Sequence, residues 1–186
     1  MLVTKARVQP GEDVLILGAG AGVGTACIQI AKLCGARVWA AAGSDEKLEK
    51  AKAIGADLLI DYVKTDFAKK VRELTGKRGV DVVVDYIGKE TWNKSLLALR
   101  RGGRLVTCGA TTGYDPTEDL RQIFYRQISI LGSTMGSDRE LHDALRCLFN
   151  GTLKPAIDRV LPLEKAAEAH RLIESRAIFG KIVLVP

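Results

Sequence analysis

The sequence DVLILGAGAGVGTACIQIAKLC, from Asp13 to Cys34, decides the fold of this chain. It opens with the apolar run 14–17, which is typical of a strand buried on both faces of a sheet. Glycines follow at alternate positions, namely Gly18, Gly20, Gly22 and Gly24. Apolar side chains then recur at the spacing of one helix face, at Val23, Cys27, Ile30 and Cys34. We therefore predict a strand, a glycine-rich turn and a helix, in this order.

This order of elements predicts a phosphate site at the turn. The N-terminus of a helix presents N–H groups without intrahelical partners and carries roughly half a positive charge, so it attracts phosphate. Glycine suits such a turn because a Cβ would hold a diphosphate away from the N–H donors. The alternative is a glycine turn that serves the structure alone.

The glycine spacing departs from the dinucleotide fingerprint G-x-G-x-x-G, which would place glycine or alanine where Val23 stands. The frame G-x-x-x-G-x-G fits better. In this frame Gly18 closes the turn, and Gly24 lets the helix pack on the strand. The residues expected to face the ligand are Gly20, Ala21 and Gly22, and Ala19 and Val23 complete the predicted site.

The composition is that of a globular protein, with 47% hydrophobic and 27% charged residues in a chain of 186. No apolar run reaches the roughly 18 residues of a membrane span and no secretory signal opens the chain, so we expect a cytoplasmic protein without a membrane partner. The net charge of +6 is scattered beside Asp and Glu, which favours a solvated surface over a nucleic-acid partner. The four cysteines form no C-x-x-C pair, so no metal site is expected.

Strands alternate with helices as far as Gly151. The strands predicted after the first are Arg37–Ala42, Leu58–Ile60, Val80–Ile87, Arg104–Thr107 and Gln127–Leu131. Among the helices, one begins at the N-cap Ser44, and another at a capping box of Ser137 and Glu140. A further helix buries Trp92, Leu96 and Leu99. The pattern predicts an α/β fold with a doubly wound, parallel, six-stranded sheet of the Rossmann type, and we assign 1–151 to a dinucleotide-binding domain.

The tail of the chain departs from this alternation. An extended stretch at Lys154–Leu161 precedes an amphipathic helix at Leu163–Glu174 and a last strand at Lys181–Val185. Six strands already complete the sheet, so this strand lacks an obvious neighbour. We therefore assign 152–186 to a C-terminal helix-strand appendage. At the other end, Met1–Gly11 supports only a frayed helix end or a short lead-in.

Ligands of doubly wound sheets bind beyond the carboxyl ends of the strands. Besides the glycine turn, this rule nominates residues after four other strands: Gly43, Ser44 and Lys47; Ile87 and Gly88; Cys108, Gly109 and Ala110; and Leu131, Gly132 and Ser133. Tyr62, after the third strand, is a further candidate because its ring would stack on adenosine. The alternative for Tyr62 is a half-buried tyrosine at a strand end.

The end of the second strand bears on the choice of cofactor. An NAD site usually has Asp or Glu there to accept from the ribose 2′-OH, but this chain has Ala42. The lack of an acid leaves room for a 2′-phosphate near Ser44 and Lys47, so we favour NADP and keep NAD as possible. In the alternative, Ser44 only caps its helix, Lys47 is a surface lysine, and Asp45 or Glu46 turns back to a ribose.

No catalytic set is recognisable. His142 and His170 both fall on predicted helices away from the ligand edge, and neither a nucleophile elbow nor a carboxylate pair is present. The residues alone therefore predict a chain that holds a cofactor without carrying catalytic residues.

Several segments together resemble the medium-chain dehydrogenase/reductases, near the zinc-type alcohol dehydrogenases and quinone oxidoreductases. They span nearly the whole chain, and they are GAGAGVGTACIQIAK at 18–32, GSDEKLEKAKAIGAD at 43–57, VDVVVDYIG at 80–88, GGRLVTCGATTG at 102–113, FYRQISILGSTMGS at 124–137 and the closing FGKIVLVP. The resemblance implies hydride transfer between NADP(H) or NAD(H) and an alcohol, aldehyde, quinone or enone. Ala110 and the turn 131–133 would then flank the nicotinamide.

The resemblance also implies a second part of the fold. Such proteins have an N-terminal catalytic domain that carries the zinc ligands and a structural cysteine cluster, and this chain is expected to lack it. The segment 161–186 would complete that missing domain, which is therefore an expected partner. The sixth strand, 127–131, would pair with its copy in a homodimer. The alternative is a non-catalytic dinucleotide-binding module or a truncated remnant.

Overall fold

The computed structural model describes residues 1–186 as eight strands and seven α-helices. The strands are β1 (Asp13–Leu17), β2 (Arg37–Ala42), β3 (Leu58–Asp61), β4 (Val80–Val84), β5 (Leu99–Thr107), β6 (Ser129–Gly132), β7 (Ile157–Pro162) and β8 (Lys181–Val185). The helices are α1 (Gly22–Leu33), α2 (Asp45–Ala53), α3 (Phe67–Leu74), α4 (Trp92–Ala98), α5 (Leu120–Arg126), α6 (Asp138–Phe149) and α7 (Ala166–Glu174).

Six strands form one parallel sheet in the order β3-β2-β1-β4-β5-β6. The order reverses direction next to β1, so the turn after β1 lies at the switch point where such sheets bind ligands. This topology confirms the predicted doubly wound α/β fold. No helix of the chain combines the length and the apolar character that crossing a membrane requires.

The central strand β1 is buried along its whole length because helices cover both faces of the sheet. Its side chains alternate between two cores, as the two-residue period of a strand requires. Val14 and Ile16 belong to a first cluster of 21 buried residues under α1, whereas Leu15 and Leu17 belong to a second cluster of 15 on the opposite face. The first core therefore supports the start of α1 directly.

The predicted helix caps are confirmed. The hydroxyl of Ser44 accepts the N–H of Lys47, and Ser137 forms a reciprocal capping box with Glu140. The N–H of Ser137 and the hydroxyl of Thr4 both donate to the carboxylate of Glu140, which lowers its pKa to about 2. The cap therefore also fixes the N-terminal segment to α6.

Several segments differ from the sequence predictions. The sixth strand is Ser129–Gly132 rather than Gln127–Leu131, because Gln127 is the left-handed C-cap of α5. Residues Leu2–Ala6 form a π-helical turn rather than a frayed lead-in, because Leu2 and Ala6 are buried in the first core. Strand β4 ends at Val84, earlier than predicted, because the buried Asp85 accepts the N–H groups of Ile87 and Gly88 and turns the chain. Leu99 begins β5 instead of continuing the preceding helix.

The prediction that the last strand lacks a neighbour was wrong. Strand β8 pairs in parallel with β7 in a separate two-stranded sheet, with Val160 opposite Val183 and Leu161 opposite Leu184. Helix α7 connects them, so the tail is a small β-α-β unit. The sequence predicts only an extended stretch where β7 lies, and pairing between segments on either side of a helix leaves no local pattern.

Candidate cofactor-binding site

The turn after β1 is closed by glycines at its two ends. Gly18 has a positive φ of +64°, a backbone conformation that residues other than glycine rarely adopt. A Cβ at Gly24 would lie 2.5 Å from the carbonyl oxygen of Gly18. Gly24 therefore allows the first turn of α1 to lie directly against the loop, the role expected of it from the sequence.

A tyrosine that the sequence analysis did not identify holds this turn from below. The hydroxyl of Tyr86 donates to the carbonyl oxygen of Gly18 at 2.6 Å, and the side chain is almost completely buried. Burial raises the pKa of Tyr86 well above its ordinary value, so the hydroxyl remains a donor. The sequence pattern places Tyr86 inside the predicted strand Val80–Ile87 and gives no sign of this contact.

The backbone N–H groups of the turn fall into two sets, those with an acceptor in the chain and those without one. The N–H of Ala19 donates to Ala41, and that of Ala21 donates to Gly18, so neither group is free to bind a ligand. The N–H groups of Gly20 and Val23 have no acceptor in the chain. Free donors at the start of a helix that has no acidic residue in its first turn fit a phosphate.

Lysine side chains lie over the glycines predicted to face the ligand. The Cδ of Lys47 would be 2.9 Å from a Cβ at Gly20, and a Cβ at Gly22 would overlap the Cε of Lys181. Both contacts involve flexible side chains that can move when a ligand enters. The cradle therefore combines bare backbone with two mobile cations, which suits an anionic ligand.

A cationic cluster lies beside the end of β2. The Nζ of Lys47 donates to the carbonyl oxygen of Arg176 at 2.5 Å, and the ring of Tyr62 lies against Gly43. Burial, and secondarily the charge of Arg176, lowers the pKa of Lys47. Burial also raises the pKa of Tyr62. Arg176 was missed because it lies far from this cluster in sequence.

The neighbouring carboxylates point to other partners. Asp45 pairs with Lys64 at 2.6 Å, and Glu46 pairs with Lys50 at 2.6 Å along α2. In this structure neither acid therefore turns back to the place of a ribose. Ser44 acts as a helix cap, which is the alternative that the sequence left open for it.

A cleft of about 610 Å³ opens beyond the ends of β5 and β6. Six of its lining residues were predicted, namely Gly88, Cys108, Gly109, Ala110, Gly132 and Ser133, whereas Lys5, Trp92 and Tyr114 were not. Two other predicted residues lie behind the lining, since Ile87 packs on the second core and Leu131 on the first. Partial burial raises the pKa of the Cys108 thiol.

The histidines lie outside this cleft. His142 borders a shallow hollow formed entirely by α6 and its C-cap, and His170 is exposed on α7. Residues 1–186 bring together no group of three or more His, Cys, Asp or Glu side chains that could hold a metal ion. Zinc chemistry therefore has no ligand set within these residues.

Comparison with known proteins gives consistent matches. Residues 22–150 match the family model described as zinc-binding dehydrogenase. The chain is 38% identical over 190 residues to the 2-haloacrylate reductase of a Burkholderia species, an alignment that covers 97% of this chain and 57% of the relative.

Solved structures with a similar fold are also dehydrogenases and reductases. The crystal structure of an NAD-dependent alcohol dehydrogenase is 52% identical with a TM-score of 0.94, and the match covers 100% of this chain and 54% of that protein. A 2-octenoyl-CoA carboxylase reductase, CinF, in complex with NADP and 2-octenoyl-CoA, is 32% identical with a TM-score of 0.90, covering 97% and 44% respectively. The chain thus spans about half the length of these relatives.

Proposed function

The chain belongs to the zinc-binding dehydrogenase family, within the medium-chain dehydrogenase/reductases that its sequence resembles, and on this premise we propose that it is the cofactor-binding half of an NAD(P)(H)-dependent oxidoreductase. The reaction is hydride transfer between the nicotinamide and an alcohol, aldehyde, quinone or enone. The observation that carries the proposal is the glycine turn, where Gly20 and Val23 keep free N–H groups at the start of α1.

In this proposal the diphosphate binds at the turn, where it meets the N–H groups of Gly20 and Val23 and the positive end of α1. The nicotinamide enters the cleft beside Ala110 and Ser133. The cofactor supplies the hydride chemistry, while the residues of the chain bind it, orient it and exclude water.

We assign the adenosine 2′-phosphate to the cluster of Lys47 and Arg176, with Ser44 and Tyr62 beside it. Strand β2 ends at Ala42 rather than at an acidic residue, and the two cations beside it favour a phosphate over a ribose hydroxyl. This argument favours NADP over NAD, although one similar structure is of an NAD-dependent enzyme and another holds NADP. The relative affinities for NADPH and NADH decide between the two.

Calorimetric titration of the 186-residue chain tests the proposal. We expect binding of NADPH with a dissociation constant in the micromolar range and weaker binding of NADH. Absence of heat with either cofactor up to about millimolar concentration would overturn the proposal.

A non-catalytic dinucleotide-binding module is the second candidate. Its support is that the histidines, the commonest acid–base residues, lie outside the cleft, and that residues 1–186 contain no metal-ligand group. The two candidates differ in a complementation experiment, in which the N-terminal half of a related dehydrogenase is added in trans. Recovered turnover favours the enzyme, whereas cofactor binding without turnover favours the module.

We also propose a division of the chain at 151/152. Residues 1–151 form the dinucleotide-binding domain, and the β7-α7-β8 unit in 152–186 joins a catalytic domain. Its support is that the two strands form a sheet of their own and expose Ile157 and Val160. Addition of a two-stranded sheet to a larger one buries such side chains.

A homodimer through β6 is proposed on similar grounds. β6 is the edge strand of the large sheet, and Ile130 on it and Phe124 on α5 are exposed. An unprotected edge of this kind is a template for pairing with a second strand. Sedimentation of the wild type and of the Ile130→Lys variant tests this proposal, since the wild type should be a dimer and the variant a monomer.

We also propose a cytoplasmic location. Its support is that all four cysteines are free thiols.

A further inference from the structure

Asp85 is completely buried just after the end of β4, yet it takes part in none of the ion pairs of the chain. Its Oδ1 accepts the N–H groups of Ile87 and Gly88 at 2.9 and 3.1 Å. Its Oδ2 accepts the hydroxyls of Thr91 and Ser95 at 2.8 and 2.6 Å. Burial of a carboxyl group is costly unless its oxygens are bonded, so these donors must stay in place around it. Asp85 therefore fixes the path of the chain from β4 into α4.

The connection between β4 and α4, residues 85–91, in turn holds the loop that follows β5. The N–H of Lys89 donates to the carbonyl oxygen of Gly113 at 3.0 Å. The N–H and the hydroxyl of Thr112 both donate to the carbonyl oxygen of Ile87, each at 2.8 Å. The loop after β5 therefore takes its position from the connection that Asp85 fixes.

Both stretches line the cleft in which the proposed function places the nicotinamide. A Cβ at Gly88 would lie 2.6 Å from the carbonyl oxygen of Gly113, so the two backbones are in direct contact at this point. Further along, the indole N–H of Trp92 donates to the carboxylate of Glu118 at 2.6 Å. The connection and the start of α4 contribute Gly88 and Trp92 to the lining of the cleft, and the loop after β5 contributes Ala110, Gly113 and Tyr114.

The glycine turn, at the other end of the proposed site, is held by different contacts. The N–H of Gly180 donates to the carbonyl oxygen of Gly20 at 2.8 Å, and the hydroxyl of Tyr86 donates to that of Gly18 at 2.6 Å. Neither bond involves the carboxyl group of Asp85. The structure thus supports the diphosphate end and the nicotinamide end of the site through separate hydrogen bonds.

We infer that Asp85 is a positioning residue for the nicotinamide, which acts through the connection 85–91 and the loop after β5 rather than by contact with the cofactor. This inference rests on the proposed function and adds to it a buried residue behind the cleft. Hydride transfer needs the nicotinamide ring at a fixed distance and angle to the substrate, and hydrogen bonds behind a site supply such precision. A ligand that lacks the nicotinamide gains nothing from Asp85.

The test is titration of the full chain with NADPH and with 2′-phospho-ADP-ribose, which lacks the nicotinamide. The variants are Asp85→Ala, Asp85→Asn and Ser95→Ala. Asparagine keeps an oxygen that can accept the N–H groups of Ile87 and Gly88, whereas alanine leaves both without an acceptor. Ser95→Ala is the matched control, since it removes one donor to the same carboxyl group at an equally buried position and leaves those two bonds in place.

We expect Asp85→Ala to weaken NADPH binding about tenfold and to leave the binding of 2′-phospho-ADP-ribose unchanged. Asp85→Asn and Ser95→Ala should bind both ligands nearly as tightly as the wild type. The fluorescence of the reduced nicotinamide gives a second readout, because its emission rises when the ring is enclosed away from water. This rise should be present in the wild type and in Asp85→Asn, and smaller in Asp85→Ala at saturating NADPH.

Thr112→Val keeps the test decisive where Asp85→Ala does not fold. It removes the hydroxyl that joins the two stretches, at a half-buried position in a loop. The same selective loss of NADPH affinity is expected from it. Thermal unfolding of each variant checks that the fold is retained.

Two results would overturn the inference while leaving cofactor binding by the chain intact. In the first, Asp85→Ala, or Thr112→Val in its place, binds NADPH as tightly as Ser95→Ala. In the second, both ligands bind more weakly to the same extent, which would show that Asp85 acts on the glycine turn through the neighbouring Tyr86. If the wild type binds neither ligand, the proposed function fails together with the inference.

Discussion

The hydroxyl of Tyr86, two residues beyond the end of β4, donates at 2.6 Å to the carbonyl oxygen of Gly18, which directly follows the neighbouring β1. The bond joins the segment after β4 to the glycine turn. The same hydroxyl lies 2.8 Å from the place of a Cβ on Gly24. A single side chain therefore sets the spacing between the turn and the start of α1.

Tyr86→Phe should destabilise the fold. It leaves the carbonyl oxygen of Gly18 without its donor, at a cost of about 1–3 kcal/mol in the free energy of unfolding. Urea denaturation measures the change, and Tyr125→Phe, at an exposed tyrosine of α5, is the control. Equal stability of the two variants would contradict a structural role for this bond.

Gly22→Val should abolish cofactor binding while sparing the fold. The new side chain meets the flexible Lys181 side chain rather than backbone, and it occupies the place expected for the diphosphate. Titration with NADPH and thermal unfolding provide the two readouts, and Gly136→Val, at a glycine with ample room, is the control. Binding at wild-type affinity by Gly22→Val would show that the turn does not hold the diphosphate.

Lys47→Met should change the choice between the two cofactors. Removal of this ammonium from its place beside Arg176 should weaken NADPH binding about tenfold and leave NADH binding nearly unchanged. The ratio of the two dissociation constants is the measurement. An equal loss of affinity for both cofactors would show that Lys47 binds the diphosphate rather than the 2′-phosphate.

Glu140→Gln should flatten the dependence of stability on acid pH. The folded state lowers the pKa of Glu140 from 4.5 to about 2, so this carboxylate stabilises the fold above pH 4.5. The contribution is lost as the pH falls from 4.5 towards 2, because the unfolded chain takes up the proton first. Urea denaturation at about pH 5 and pH 3 compares the variant with wild type and with Glu49→Gln. If Glu140→Gln lost more unfolding free energy than the wild type on acidification, the Glu140 carboxylate would not be the group that stabilises the fold.

Local patterns predicted the regular elements well. The bounds of β2 agree with the prediction, and Ser44 and Ser137 begin their helices as expected. These features depend on residues close together in the sequence, whose periodicity and capping chemistry are visible without the fold. The six-stranded sheet follows from the alternation of such elements.

Contacts between distant residues were not predictable in this way. Tyr86 and Lys181 reach the glycine turn from beyond β4 and from the C-terminal segment, and Arg176 reaches Lys47 from that same segment. No local spacing marks these residues. The early end of β4 has a similar origin, because Asp85 also accepts from the hydroxyls of Thr91 and Ser95 on the following segment. The apolar run around Asp85 predicts a continuous strand, because the partners of a buried carboxylate are not visible in local sequence.

The hydrogen bond from Gly180 to Gly20 closes nearly the entire chain into one loop. Contacts this distant in sequence form slowly, since the intervening chain must first give up its freedom. The glycine turn therefore reaches its final shape only after Gly180, 160 residues further along the chain, has come to lie against it. Pulse-labelled hydrogen exchange during refolding should find the amide of Gly180 protected later than the amides of β1.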